Sequence, residues 1–274
     1  MSLLLIILSL GLVQGLCEFL PVSSSGHLVL AQALFHLEEP EVLLDLVLHL
    51  GTLLAVCVFY RRSLTELVSE TRLIPEAVFR HKLAAHYQTR PVFHLGVLII
   101  AASIPTALIG LLAQDFLESL FNSVRATGLA LLGTAAVLSL TRLIKTSRTR
   151  SILEMTLLDA FLIGTIQGLA IAPGLSRSGL TISCALILGL NKELSARFSF
   201  LLSIPAIVGG LALSLGRGQT SSVPTAYLFL GLVVSGVVGY LSLRFLTYIV
   251  DRGKLSFFAP WCLCVGLLAL FWSF

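Results

Sequence analysis

Two short polar stretches interrupt an otherwise apolar chain, and both carry residues able to do phosphate chemistry. The first, Gln14–His27, holds Glu18, three consecutive serines (Ser23, Ser24, Ser25), Gly26 and His27. The second, Pro173–Gly179, reads PGLSRSG and places Ser176 and Ser178 on either side of Arg177. A guanidinium, short hydroxyl donors and unshielded backbone N–H groups are the ligands a phosphate oxygen takes. A carboxylate beside a hydroxyl can accept its proton or hold a cation. An arginine in apolar sequence is costly without a partner or a wet cavity, so Arg177 marks a site by default. The plain alternative for the second stretch is a loop between two membrane helices. Glu18 has its own plain alternative, a structural partner for Arg177. His27 could equally be a satisfied buried histidine. Ser23 and Ser25 read as donors or helix caps, since SSSG has the composition of an N-cap. His49 fits a structural or a pocket role, and Asp45, one turn earlier, is its candidate partner.

The elements that position these residues must be membrane helices. The 274 residues are 57% apolar and 12% charged, with mean hydropathy +0.99. Soluble domains carry about a quarter charged residues. Apolar runs of roughly 20 residues match a hydrocarbon core of about 30 Å. The first run, 3–20, lacks a basic start and contains Gln14 and Glu18, so it reads as a retained segment rather than a signal peptide. The five cysteines lie in apolar segments and read as packing residues, without metal or redox spacing.

Spans are expected at 42–60, 92–112, 126–140, 198–215, 226–246 and 255–274. The basic segments 61–91, 142–154, 191–197 and 250–254 are assigned to the cytoplasm, which leaves 36–41, 113–125 and 217–225 outside. Segment 61–91 reads as a solvated loop carrying a surface helix. Segments 1–36 and 155–190 then begin and end on one side, and each reads as a re-entrant hairpin broken at Pro21–Gly26 and Pro173–Gly179. A shift of 153 residues superposes them: Gly11, Gln14, Gly15, Leu16, Ser23, Ser25 and Gly26 fall on Gly164, Gln167, Gly168, Leu169, Ser176, Ser178 and Gly179. Each hairpin precedes three spans. The predicted fold is thus an all-α polytopic membrane protein of two inverted-topology repeats, 1–150 and 151–274, whose broken helices meet near the midplane. The copies differ where chemistry needs them to: Ser24 against Arg177, Glu18 against Ile171, His27 against Leu180. Gln14 and Glu18 share a helical face with Gly11 and Gly15, which another helix or a ligand could approach closely. Ser103–Pro105 and Ser203–Pro205, both SIP, are expected to kink facing spans around an apolar groove.

With these motifs the chain resembles the undecaprenyl pyrophosphate phosphatases of the bacitracin-resistance type. The matching segments are QGLCEFLPVSSSGH (14–27), LDLVLHLGTLLAV (44–56), PGLSRSGLTI (173–182) and ARFSFLLSIPA (196–206). The resemblance implies hydrolysis of a long-chain polyprenyl pyrophosphate in the bacterial inner membrane, with the site opening outward. It implies recycling of the carrier lipid for peptidoglycan synthesis, resistance to bacitracin and dependence on Mg2+ or Ca2+. It implies that Arg177 clamps the pyrophosphate, with Glu18, Ser24 and His27 as catalytic residues and Glu18 as metal ligand. The expected substrate-binding set is Gln14, Ser23, Ser25, Gly26, His49, Ser176, Ser178, Gly179 and Thr181. Relatives with two acids have a carboxylate at the position of Gln14, so here Glu18 stands alone. The nucleophile is left among Ser24, His27 and a water activated by His27. Inverted repeats also suit a transporter or flippase of a lipid phosphate or other anion. The lipid bilayer is the other partner, nucleic acid is not expected, and a homodimer is one candidate assembly.

Overall fold

The computed structural model describes residues 2–35, 42–72, 83–121, 123–144, 149–215 and 223–271. The segments 36–41 and 217–222 assigned outside, and Lys145 and Arg148 of the basic run, lie outside the described residues. Helices make up the described chain: α1 Leu3–Phe19, α2 Ser24–Leu34, α3 Val42–Phe59, α4 Arg61–Thr71, α5 Leu83–Thr89, α6 Pro91–Leu112, α7 Gln114–Phe121, α8 Val124–Leu140, α9 Leu157–Leu169, α10 Arg177–Ile187, α11 Lys192–Leu215, α12 Thr225–Asp251 and α13 Ala259–Phe271. The architecture is all-α and polytopic.

Four helical stretches are long and apolar enough to cross a membrane: Pro91–Leu112, Val124–Leu143, Lys192–Ser214 and Thr225–Asp251. Leu43–Phe59 qualifies together with Arg61–Thr71, at a bend of 78°. The bend turns α4, with its arginines, away from the direction of α3; residues 73–82 of the expected loop, with Arg80 and Lys82, lie outside the described residues. One expectation needs correction and another is refined. The last expected span opens with a 3-10 turn, Leu255–Phe258, and is apolar and helical through Phe271, with 272–274 outside the described residues. The expected loop at 113–125 contains the helix α7.

Both polar stretches break their helices, with boundaries slightly earlier than expected. Pro21 disfavours helical backbone at Leu20, which turns extended (φ −61°, ψ 142°) and ends α1. α2 restarts at Ser24 with Ser23 as N-cap, its Oγ accepting the Gly26 N–H at 3.2 Å. In the second hairpin Ser176 Oγ accepts the Gly179 N–H at 3.1 Å and starts α10. Satisfying one free N–H of the first turn is what an N-cap does. The same cap thus stands at residues 153 apart.

The paired glycines work as close-packing points. Gly11 and Gly15 lie against α12, and Gly164 and Gly168 against α6. A Cβ on Gly15 would sit 2.8 Å from the Ser235 carbonyl, and one on Gly164 2.0 Å from that of Ala102. The closely approached partner is therefore a helix in both cases. α8 packs on α13. One buried cluster joins Phe19, Phe200, Leu243, Leu246 and Phe258 beneath the first break. A second joins Leu95, Leu98, Ala160, Ile163 and Phe198 around the second hairpin. Burial of such side chains contributes roughly 1.5–3 kcal/mol each in water. In lipid the same contacts act through packing. Exposed Ile100, Leu108, Leu129, Phe229 and Leu241 supply the surface that a bilayer covers.

Candidate active site

The two breaks meet. Gly174 (φ +91°) donates its N–H to Ser23 Oγ at 3.1 Å, and a Cβ on Gly26 would lie 2.9 Å from Gly174 Cα. A Cβ on Gly179 would lie 3.0 Å from Pro21. Pro21 and Gly174 are equivalent under the shift of 153, as are Gly26 and Gly179, so each tip glycine packs on the other turn. Thr134 fixes the second turn from α8: its Oγ1 accepts the Ser176 N–H at 3.0 Å and donates to the Gly174 carbonyl at 2.9 Å.

Glu18, buried at the end of α1, is the hub. Its Oε1 accepts a hydrogen bond from the Arg177 guanidinium, 159 residues away. Its Oε2 accepts from Ser24 Oγ at 2.6 Å and Gln14 Nε2 at 3.0 Å, with His49 Nε2 at 3.7 Å. Gln14 Nε2 also reaches Thr52 Oγ1 at 3.4 Å. Arg177 is half-buried, its buried Nη1 without a partner, and Gln14 Oε1 is likewise buried and unpartnered. Such orphans are expensive in a low-dielectric interior. Of the two residues, Arg177 also lines the adjoining cavity, where a ligand's charge would complete it.

This hub closes one end of a cavity of about 720 Å³. Glu18, Ser23, Ser24, Ser25, His49, Ser176 and Arg177 line the polar end. Ser103, Thr106, Ala107, Leu111 and Leu117 form one long wall, and Pro205 to Ser214 the other. Both SIP stretches therefore contribute to the groove, Ser103 from the first and Pro205 from the second.

The remaining expected site residues take other places. Gln14, Gly26, Ser178, Gly179 and Thr181 are not among the cavity-lining residues. Ser178 Oγ reaches the Leu20 carbonyl at 3.4 Å, tying turn to turn. Thr181 Oγ1 bonds the Arg177 carbonyl at 2.7 Å and meets Ser199 Oγ at 2.5 Å, which anchors α10 to α11. His27 also turns away from the cavity. Its Nδ1 lies 2.9 Å from the Ser23 carbonyl and its Nε2 accepts the Trp261 indole N–H at 3.0 Å. His49 Nδ1 meets the backbone carbonyl of Asp45 at 2.8 Å, while the Asp45 carboxylate accepts from Gln32. Thr52, Thr134 and Trp261 are site residues that the sequence reading passed over.

The family model of the bacitracin resistance protein BacA matches residues 7–268. The chain belongs to the BacA family. It is 44% identical to an undecaprenyl-diphosphatase of Desulfatibacillum aliphaticivorans, over 97% of each chain. It is 41% identical to one of Carboxydothermus hydrogenoformans, covering 96% of this chain and 95% of the relative. It is 38% identical to one of Methanosphaera stadtmanae, covering 96% of each.

The divalent cation implied by the resemblance meets a sparse donor set. Among the described residues no group of three or more His, Cys, Asp or Glu could hold a metal ion. Glu18 is one carboxylate, and Arg177 already balances its charge. Calcium takes about six to eight oxygens, and magnesium a near-octahedral set. The residues present do not fit a resident cation in this BacA-family site.

Proposed function

We propose that the chain is an integral membrane phosphatase that hydrolyses undecaprenyl pyrophosphate to undecaprenyl phosphate and inorganic phosphate. The product lipid returns to peptidoglycan synthesis, and the activity confers resistance to bacitracin. The observation that carries the chemistry is the 2.6 Å hydrogen bond from Ser24 Oγ to Glu18 Oε2. A nucleophile and its base stand within reach of each other at the end of an apolar groove.

Arg177 neutralises Glu18 before substrate binds. A pyrophosphate at the polar end competes for the guanidinium, whose Nη1 has no other partner. As Arg177 turns to the phosphate oxygens, Glu18 loses its counter-charge and becomes the stronger base. Ser24 Oγ attacks the terminal phosphorus and its proton passes to Glu18 Oε2. The P–O bond to the lipid phosphate breaks, and Glu18 hands that proton to the leaving oxygen. Water then attacks phosphoserine; its oxygen and one proton leave as inorganic phosphate, and the other proton restores the Ser24 hydroxyl. Arg177 and the N-termini of α2 and α10 stabilise the charge in each step. His27 holds the turn, through Ser23 and Trp261, and does not exchange protons. Magnesium or calcium would enter as the salt of the pyrophosphate.

The two halves read as inverted repeats, supported by the matched caps and by the crossed contacts Gly26–Gly174 and Gly179–Pro21. The groove runs from the hub toward the ends of α6 and α11 opposite their basic starts near Arg90 and Lys192. With basic segments inside, it opens to the outer face of the inner membrane, and the prenyl chain lies along it.

The test is phosphate release from undecaprenyl pyrophosphate by the purified protein, with Arg177→Ala and Ser24→Ala alongside. Release by the wild type that is lost in both variants supports the reading. A folded wild type without release overturns it and directs attention to transport in sealed vesicles.

A further inference from the structure

Two adjacent glycines, Gly209 and Gly210, sit in the second half of α11, four and five residues after Pro205. Glycine weakens a helix, because it retains more freedom when unfolded and offers no side chain to pack. Elsewhere in this fold the weakness has a visible reason. At each of the other helical glycines among the described residues, an added Cβ would meet a neighbour within 4 Å, as at Gly51 against Ser235 and Leu232 or at Gly168 against Ile109. At Gly209 and Gly210 it would meet nothing within that distance. Helix packing does not require them.

Both line the cavity, on the wall that includes Ala206, Ala212 and Leu213. Leu111, Leu117 and Phe121 face the same space from α6 and α7. The two glycines therefore remove side-chain volume from the wall of an apolar groove whose polar end holds Ser24 and Arg177. Alanine would have completed the helix more stably while adding little bulk, whereas leucine would have matched the surrounding wall and narrowed the groove.

We infer that Gly209 and Gly210 form a cut-away in α11 that admits the distal part of a long polyprenyl chain, and so set which prenyl lengths the enzyme accepts. The occupant is an unbranching run of isoprene units, because the wall around the glycines is aliphatic and aromatic. A short prenyl pyrophosphate engages only the polar end and the nearer wall, so it does not depend on the cut-away. The inference rests on the proposed reading that the lipid tail lies in this groove.

The experiment compares undecaprenyl pyrophosphate with farnesyl pyrophosphate for wild type, Gly210→Leu, Gly209→Leu and the double variant Gly209→Ala/Gly210→Ala. Each is first checked for folding by thermal unfolding in detergent. The leucine variants are expected to lose about ten-fold or more in kcat/KM for the long substrate, the scale of a blocked apolar subsite, and to keep farnesyl turnover near wild type. The double alanine variant separates volume from flexibility. It adds little bulk yet stiffens the helix, so long-chain turnover is retained if open volume is what matters and lost if the pair is a hinge. Equal losses on both substrates, or loss in the alanine variant, overturn the inference. Leu111→Trp, on the facing wall, tests the underlying reading separately. If it blocks the long substrate while the leucine variants do not, only the glycine assignment fails. If none of them affects the long substrate, the tail lies elsewhere and the groove reading fails.

Discussion

The Gly174 N–H donates to Ser23 Oγ at 3.1 Å, so the two helix breaks, one in each half of the chain, are joined by a direct hydrogen bond. Both residues have positive φ, +70° at Ser23 and +91° at Gly174. A Cβ on Gly174 would lie 2.3 Å from the Thr127 carbonyl. Gly174→Ala is therefore expected to destabilise the protein by about 2 kcal/mol or more, through backbone strain and the clash together. Thermal unfolding in detergent measures it. A variant that melts with the wild type would remove the turn-to-turn contact from the account of the fold.

Ser24 is expected to be the residue that carries phosphate. Ser24→Ala should lower kcat on the order of a thousand-fold while leaving KM within a few-fold, because the groove and Arg177 remain to bind substrate. Quenching turnover of substrate labelled at the terminal phosphate and mapping the phosphopeptide gives the second readout. A label on His27, or a Ser24→Ala variant with normal turnover, would exclude Ser24.

His27 has both ring nitrogens occupied, by the Ser23 carbonyl and the Trp261 indole. The Trp261 N–H donates, so Nε2 is the acceptor and Nδ1 carries the proton. His27→Gln should thus keep Ser24 labelling and lose only part of the rate, chiefly by loosening the turn. Trp261→Phe should move the rate in the same direction by a smaller step. A His27→Gln variant that binds substrate normally yet forms no phosphoserine would restore histidine to the chemistry.

The Glu18–Arg177 pair is expected to show strong non-additivity. Arg177→Ala leaves the buried carboxylate without its cation, and such a loss costs about 3–5 kcal/mol. Glu18→Gln/Arg177→Ala removes both charges, so it should recover most of that stability and none of the activity. A double variant as unstable as Arg177→Ala alone would mean that the carboxylate is satisfied by Gln14, Ser24 and His49 without the guanidinium.

Much of this site is legible in sequence because membrane chemistry leaves few explanations for a polar group. Glu18, Arg177 and the serine turns stand out against apolar neighbours, and Gly11, Gly15, Gly164 and Gly168 mark helix contacts at one spacing. Thr134 and Thr52 are not legible. A lone threonine in an apolar helix usually bonds its own backbone, and its partner here is set by tertiary packing. His27 sits off the cavity for a local reason: only three residues from Ser24, its Nδ1 meets the carbonyl of the N-cap residue itself and its Nε2 meets Trp261 of α13. At the C-terminal end the expected span opens with a 3-10 turn at Leu255–Phe258, a detail that hydropathy does not distinguish from α-helix. The cut of α11 at Gly209 and Gly210 gives no composition signal, since glycine is ordinary in membrane helices.

Gln14 decides how the site treats a divalent cation. Its Nε2 donates to Glu18 Oε2 at 3.0 Å, so the amide supports the carboxylate without adding charge. The protein alone, with Glu18 already matched by Arg177, is expected to show no saturable uptake of calcium or magnesium by titration calorimetry, and uptake should appear only with a pyrophosphate analogue present. Gln14→Glu replaces a donor by a second acid within hydrogen-bond distance of the first. Two such carboxylates cannot both stay ionised without a proton or a cation between them. The variant should therefore bind calcium without substrate, and its thermal stability should rise on adding the ion, as linkage requires for any ligand of the folded state. Its phosphate release should also become more sensitive to chelator than that of the wild type. Calcium uptake by the wild type alone would show that Glu18 and the unpartnered Gln14 Oε1 suffice as ligands. Metal would then precede substrate at the site, and Arg177 would have to leave Glu18 to admit it.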